Sequence, residues 1–413
     1  MEASSNRKLA STGICRITST PYTWKSIQKI WTSYASSTRP ELLCPKILAY
    51  EFTDIAFAPY GDYWRQMRKI CTSELLSAKR VQSFSSIRED EVQKLVQSIS
   101  EAFGKKSEFE DELLCLLKDG SELTGGFDVA DLFPSFKLIH FVTGMKTKLE
   151  KMKKKLDKIL VSIIKEHQSN SNRDGLHHGE NLVDVLLRVQ QSSNLDIPIT
   201  DDNVKAVIWD VFGAGTDTSS TTLEWAMSEL MKNPKVRKKV QSEIRGAFKE
   251  KKRIYESDLD KLSYFKSVIK ETMRLHPPAP LLLPRECRDA CNIGGYEIPL
   301  KTKVIVNAWA LGRDPKYWYD AERFIPERFD GTSYDFNKTN NSFEYIPFGA
   351  GRRICPGILF GLASIELPLA ALLYHFDWEL PNGMKLEDLD MTEAFGAAAT
   401  RRNDLHLIPT PYI

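Results

Sequence analysis

Pro347-Phe348-Gly349-Ala350-Gly351-Arg352-Arg353-Ile354-Cys355-Pro356-Gly357 runs directly into the apolar stretch from Ile358 to Phe376. Three features act together in it. The glycines let the backbone turn tightly and approach a ligand closely. Cys355 precedes Pro356, a residue suited to the first position of a helix, which places the sulfur at a helix N-terminus. There the helix dipole and unpaired amides are expected to lower a thiol pKa and favour thiolate. Two arginines just upstream offer carboxylate binding. A buried structural cysteine in a phosphate-type loop is the alternative. It suits a lone cysteine better than this whole string, which meets the requirements of an axial thiolate ligand to haem iron.

Upstream, the punctuation predicts mostly long helices with a few short strands. Tyr63 to Leu75 reads as an aromatic, basic helix. Arg80 to Phe103 and Lys146 to His167 carry apolar residues at helical spacing. Ser169 to Glu180, with His177 and His178, reads as a polar loop without a role. Thr200 is a predicted N-cap for a helix running to about Lys232, stopped by Asn233–Pro234. At 1.5 Å per residue its 32 residues would span roughly 48 Å. Gly213-Ala214-Gly215-Thr216-Asp217-Thr218-Ser219 lies inside it, where small and hydroxyl residues lower helix propensity. Either a close helix crossing or a ligand lying against a locally opened helix accounts for that composition. A helix is predicted near Ser257 to Leu275, with Glu271 and Arg274 on one face. Gly294–Gly295 marks a turn, Ile298 to Ala308 reads as a strand, and Pro326-Glu327-Arg328-Phe329 follows.

Composition excludes other classes. In 413 residues, Lys+Arg total 57 and Asp+Glu 55, a net charge of +2 that argues against a nucleic-acid binder with a basic face. A hydrophobic share of 42% supports a packed core and argues against global disorder. The seven cysteines (Cys15, Cys44, Cys71, Cys115, Cys287, Cys291 and Cys355) are scattered, which argues against a disulfide scaffold or zinc ribbon. The longest apolar run carries Glu366 and Pro368 and reads as a buried helix, so no membrane span is expected.

Phe348, Gly351, Arg353, Cys355 and Gly357 match in full the F-x-x-G-x-R-x-C-x-G signature of the cytochrome P450 haem-thiolate monooxygenases, which the sequence resembles. Three further motifs occur in the family's order. Trp64-x-x-x-Arg68 is similar to the helix holding a haem propionate. Ala214-Gly215-x-Asp217-Thr218 is similar to the oxygen-activating helix. Glu271-x-x-Arg274 with Pro326-Glu327-Arg328-Phe329 is similar to the structural triad Glu271, Arg274 and Arg328. Phe57 to Arg65 and Asp131 to Ser135 resemble plant enzymes of the terpenoid-hydroxylating group. The resemblance implies a mostly α fold with a small β region. It implies haem b between the long helix and the Cys355 loop, with Cys355 as the iron ligand. Trp64, Arg68, Arg285 and Arg353 would bind the propionates, and Asp217 and Thr218 would relay protons. Gly215 would leave room for O2. Ala214, Ala279, Leu281, Phe395 and Ala397 would contact an apolar substrate. It further implies electrons from NADPH through a separate reductase and residence on the cytosolic face of the endoplasmic reticulum membrane.

Two departures from the family's pattern are apparent. Trp64 arrives early, residues 1–36 are unmatched and read as a disordered leader, and the P450 domain is taken as residues 37–413. A neighbouring β-strand is therefore expected to have an open edge, and the fold to be incomplete. Near Ser100–Glu101 most of a core helix is expected to be missing, since Glu101-Ala102-Phe103-Gly104-Lys105-Lys106 resembles the end of a later one. These departures keep open a catalytically inactive, truncated or alternatively spliced product. A member that rearranges peroxides is disfavoured by the intact Asp217–Thr218 pair.

Overall fold

The structure is a computed structural model. It describes residues 14–17, 38–100, 115–116, 119–124, 144–170, 181–192, 195–249, 251–293, 296–331, 334, 336 and 343–412. The turn glycines 294–295, the histidines 177–178, the segment 131–135 and the junction following Ser100 lie outside the described residues.

The helices are α1 (Leu43–Leu48), α2 (Asp62–Ile70), α3 (Ala78–Ser83), α4 (Ser85–Ser100), α5 (Met145–Asn170), α6 (Leu182–Gln190), α7 (Asp201–Lys232), α8 (Pro234–Ala247), α9 (Ser263–Leu275), α10 (Ala308–Gly312) and α11 (Ile358–His375). The strands are β1 (Ile14–Ile17), β2 (Arg285–Glu286), β3 (Cys291–Ile293), β4 (Tyr296–Ile298), β5 (Lys303–Val306), β6 (Phe376–Glu379) and β7 (Ile408–Pro411). Among the described residues the protein is thus mostly α with three small sheets, ordered β1-β5-β2, β3-β4 and β6-β7. The edge of β5 expected to be open is covered, because β1 pairs with it in parallel from Ile14 opposite Lys303 to Ile17 opposite Val306.

α7 is the axis of the molecule. Thr200 caps it by accepting from the Asn203 amide, while the Asn203 side chain accepts from the Thr200 amide. Its first turns, through Val204, Val207 and Ile208, pack with α2, α5 and α6. Its last turns, through Ala226, Met227 and Leu230, pack with α8, α9 and α11. The small residues from Gly213 to Thr218 lie between these two groups of contacts, with Phe212 and Ala214 exposed. The helix runs unbroken through them. α11 is long and apolar enough to cross a membrane, but it lies in the larger core, with Leu367, Leu369, Ala370, Leu373 and Tyr374 buried.

Three sequence-predicted elements differ. The helix predicted from Ser257 is a 3-10 segment, Glu256–Lys261, followed by α9. The cause is a distant cap: the Glu243 carboxylate of α8 accepts from the amides of Tyr264 (3.0 Å) and Phe265 (2.8 Å), fixing the start of α9. The strand predicted from Ile298 to Ala308 shrinks to β5. Lys301 turns through a left-handed conformation (φ 62°), and the Asn307 side chain accepts from Ala310 N (2.9 Å) to open α10. The helix predicted from Arg80 is split at Phe84 into α3 and α4.

Candidate haem-thiolate site

The loop before α11 is built from backbone bonds that bring Cys355 back against Phe348. Gly349 and Gly351 have φ of 71° and 68°, the left-handed region that a side chain disfavours. Gly349 N donates to Ile346 O (2.9 Å), Ile354 N to Gly351 O (3.0 Å) and Cys355 N to Phe348 O (3.0 Å). Phe348 is held edge-on by Phe336, with ring centroids 5.1 Å apart. From α2, the Arg68 guanidinium donates to Ile354 O, tying the loop to the other side of the molecule.

α11 begins at Ile358 with Gly357 as its cap, so Pro356 precedes the helix instead of opening it. The thiol also differs from expectation. Burial pushes the Cys355 pKa up, outweighing the Gly357 amide and the Arg68 charge, both of which favour thiolate. Cys44, Cys71, Cys115, Cys287, Cys291 and Cys355 are free thiols.

Above this loop the structure gathers cations. Arg353 donates to Ala58 O (2.7 Å), and its guanidinium lies 4.1 Å from the centroid of the Trp64 ring. Arg285 donates to Ala350 O (3.3 Å). Sequence reasoning missed Arg39, which donates to Ala56 O (2.9 Å), Leu283 O (2.8 Å) and Pro284 O (2.9 Å). Burial and the neighbouring guanidiniums hold Arg285 well below its ordinary value and push Arg353 down to about 9. Arg39 is pushed down to about 10, chiefly by burial. Positive charge concentrated this way favours an anion at the site, and the two propionates of a haem fit it. Trp64 lies beside Arg353 in this cluster. Its indole N–H donates to Ile55 O (3.0 Å), so the ring serves Arg353 as a platform.

The backbone that receives these groups is fastened to α7 by two further residues that sequence reasoning missed. Asp210 accepts from the amides of Ile55 (2.8 Å) and Ala56 (3.2 Å), and Asp54 from the amide of Phe57 (3.1 Å). Desolvation raises both carboxyls, Asp210 to about 6, and Asp54 is raised further by the charge of Asp210. Burial and like charge together favour the protonated form at this pair.

Glu271 is wholly buried and accepts from Arg274 Nε (2.7 Å), Arg274 Nη2 (2.8 Å), Arg328 Nε (3.1 Å) and Ile325 N (2.7 Å). Arg274 also donates to the carbonyls of Gly312, Ala321 and Arg323, and Arg328 to those of Tyr319 and Asp320. The triad therefore welds α9 to α10 and to the segment leading toward the Cys355 loop.

On α7, a Cβ built on Gly215 would meet only Phe360 of α11, at 3.6 Å. Thr218 Oγ1 donates to Ala214 O (2.7 Å). Asp217 Oδ2 accepts from Ser121 Oγ (2.8 Å), and burial raises its carboxyl against that bond. Ser121, in the helical residues 119–124, also offers its carbonyl to Ala397 N (3.1 Å). It thereby joins the acid of α7 to the segment carrying Phe395 and Ala397. No spacing in the sequence marks Ser121. Ala214, Leu281 and Phe395 are exposed, Phe395 by 78%. Ala279 and Ala397 are partly buried.

A half-buried cysteine in a loop at the start of a core helix, with arginines gathered beside that loop, is the arrangement expected of a haem-thiolate protein. Residues 103–406 match the family model for cytochrome P450, and the chain belongs to that family of monooxygenases. It is 58% identical over 402 residues to cytochrome P450 71D8 of Glycine max, covering 91% of this chain and 79% of that protein. It is 54% identical to premnaspirodiene oxygenase of Hyoscyamus muticus (92% of this chain, 80% of that protein). It is 50% identical to germacrene A hydroxylase of Barnadesia spinosa (93% and 82%). A zebra fish cytochrome P450 structure superposes with a TM-score of 0.75 at 24% identity over 98% of each chain, a likeness of fold.

Proposed function

We propose that this P450 inserts one oxygen atom from O2 into a C–H bond of an apolar plant terpenoid, as a step of secondary metabolism. The electrons come from NADPH through a P450 reductase. The observation that carries the reading is the pairing of the Cys355 loop with the arginine cluster on one side of α7 and the Ser121–Asp217 contact on its flank. The terpenoid class rests on the named activities of the relatives, premnaspirodiene oxygenase and germacrene A hydroxylase among them. The apolar character of Ala214, Ala279, Leu281, Phe395 and Ala397 suits such a substrate.

Haem, when bound, supplies the activation of oxygen. The chain's residues do the rest. Cys355 Sγ ligates iron, and Arg68, Arg285 and Arg353 receive the propionates, with Trp64 supporting Arg353 and Arg39 adding charge. Phe348, Gly351 and Gly357 shape the loop. Asp217, its carboxyl raised by burial, holds a proton closer to neutrality than an exposed aspartate does. Thr218 spends its hydroxyl hydrogen on Ala214 O, which leaves the oxygen lone pairs to accept from water or substrate. The catalytic domain is residues 37–413 with β1 (Ile14–Ile17) added to its sheet, and the protein works at the cytosolic face of the endoplasmic reticulum membrane, a placement that cell fractionation tests.

The deciding experiment is a carbon monoxide difference spectrum of the reduced protein. A strongly red-shifted Soret band is expected from Cys355 ligation. A band at the unshifted position, or none, would instead favour a catalytically inactive product.

A further inference from the structure

His276 ends α9 immediately before Pro277–Pro278, and neither the catalytic pair nor the triad uses it. It is buried (6% exposed), and its ring stacks on Trp225 of α7 with centroids 4.0 Å apart and planes 3° from parallel. Nε2 lies 2.8 Å from Glu229 Oε1 of the same helix. Nδ1 is buried without a hydrogen bond, and Glu393 Oε1 stands 3.7 Å away. A buried imidazole nitrogen left unbonded costs stability, and a shift of about half an ångström would bring this one within bonding distance.

The surroundings show what such a shift would move. Trp225 Nε1 donates to Ala399 O (2.6 Å), and Ala399 N donates to Pro278 O (3.0 Å). Arg401 reaches Ser228 Oγ of α7 (3.0 Å), and Trp309 Nε1 donates to Glu393 Oε1 (3.3 Å). The His276–Trp225 stack is therefore the common anchor of two segments. One, after Pro278, carries Ala279 and Leu281; the other, Glu393 to Arg401, carries Phe395 and Ala397.

We propose that His276 is a positioning residue for the substrate pocket. Trp225 and Glu229 hold its imidazole, and Nδ1 engages Glu393 when the segment Glu393–Arg401 closes over a bound apolar molecule. The proposal rests on the assignment of Phe395 and Ala397 to that pocket. Glu393 is the moving partner, because Glu229 sits on the rigid helix and is buried, whereas the Glu393 side chain is 31% exposed.

Amide hydrogen exchange of residues 394–399, with and without 4-phenylimidazole as the apolar haem-site probe, tests this. In the native protein the probe should slow exchange in that segment. In His276→Phe, which keeps an aromatic stack but cannot bond, and in Glu393→Ala, which should fold even where the first does not, the slowing should vanish. The native slowing should be about tenfold, the equivalent of one buried hydrogen bond, and without the probe both variants should exchange there at about the native rate, since Nδ1 is unbonded in that state. Exchange in α9 and α11 should stay unchanged. Equal slowing in native and variant proteins, or none in the native protein when the probe has bound haem, overturns the proposal. The carbon monoxide spectrum separates this from failure of the haem reading. Should the native protein carry no thiolate-bound haem, a sesquiterpene hydrocarbon, which needs no haem iron to bind, takes the place of 4-phenylimidazole, and equal slowing in native and variant proteins overturns the clamp.

Discussion

Replacing Glu271 with alanine removes one carboxylate and strands two guanidiniums. Glu271 and the side chain of Arg274 have no solvent exposure, and that of Arg328 has 2%. Neither arginine can recover its lost partner from water. Breaking a buried charge pair from one side costs about 3–5 kcal/mol. The Ile325 amide loses its acceptor at the same time, a further cost of about 1 kcal/mol. The sum, roughly 4–6 kcal/mol, is a large part of the roughly 5–15 kcal/mol by which folded proteins are stable. At an unfolding entropy of about 2.1 cal/mol/K per residue, 413 residues give ~0.9 kcal/mol/K, so the melting temperature should fall by about 5–7 °C. Urea unfolding followed by tryptophan fluorescence, alongside thermal melts, reads the change. Glu387→Ala is the control, since Glu387 is 77% exposed and reaches Lys385 only at 3.9 Å. The reasoning fails if Glu271→Ala loses no more stability than this control.

Four other outcomes are expected. Gly312→Ala should destabilise by about 1–3 kcal/mol, because its Cβ would stand 2.2 Å from the Arg274 carbonyl oxygen, a backbone atom that cannot step aside; urea titration measures it. Ser121→Ala removes the bond that opposes burial at Asp217, so that carboxyl should rise further and the acid limb of the pH–rate profile should move to higher pH; an unmoved limb would exclude Asp217 from proton transfer. Thr218→Ala should uncouple NADPH consumption from product, and unchanged coupling would count against the relay. Asp210 is raised to about 6 from an ordinary 3.8, so its native form holds a proton that its unfolded form gives up; this contribution is complete below 3.8 and is lost as pH rises through 6. Asp54, Tyr63 and Cys71 share its surroundings, and Asp210→Asn, which keeps an acceptor for Ile55 and Ala56, should gain urea stability over the native protein at pH 7.5 but not at pH 4.

The Cys355 loop, the Glu271–Arg274 pair and both ends of α7 were legible in the sequence because their signals are local. A cap acts within one turn, a pair at i and i+3 shares a face, and glycines mark a turn wherever the chain goes next. The three misread elements had their boundaries set from elsewhere or by turns without glycine: Glu243 of α8 opens α9, and Lys301 turns the chain into β5. The edge of β5 depended on β1, which lies almost three hundred residues earlier in the chain.

Sequence by itself therefore placed the candidate chemistry, namely a cysteine in the family's haem-loop motif and an acid–hydroxyl pair on a long helix. Tertiary structure alone decided how that chemistry is supported. Arg39 joins the cation cluster from 244 residues before Leu283, Ser121 meets Asp217 across 96 residues, and His276 finds Glu229 across 47. Each of those side chains is of a common type in an unremarkable local setting. Its role comes from what the packing of the cores on either side of α7 places beside it, and no local pattern encodes that proximity.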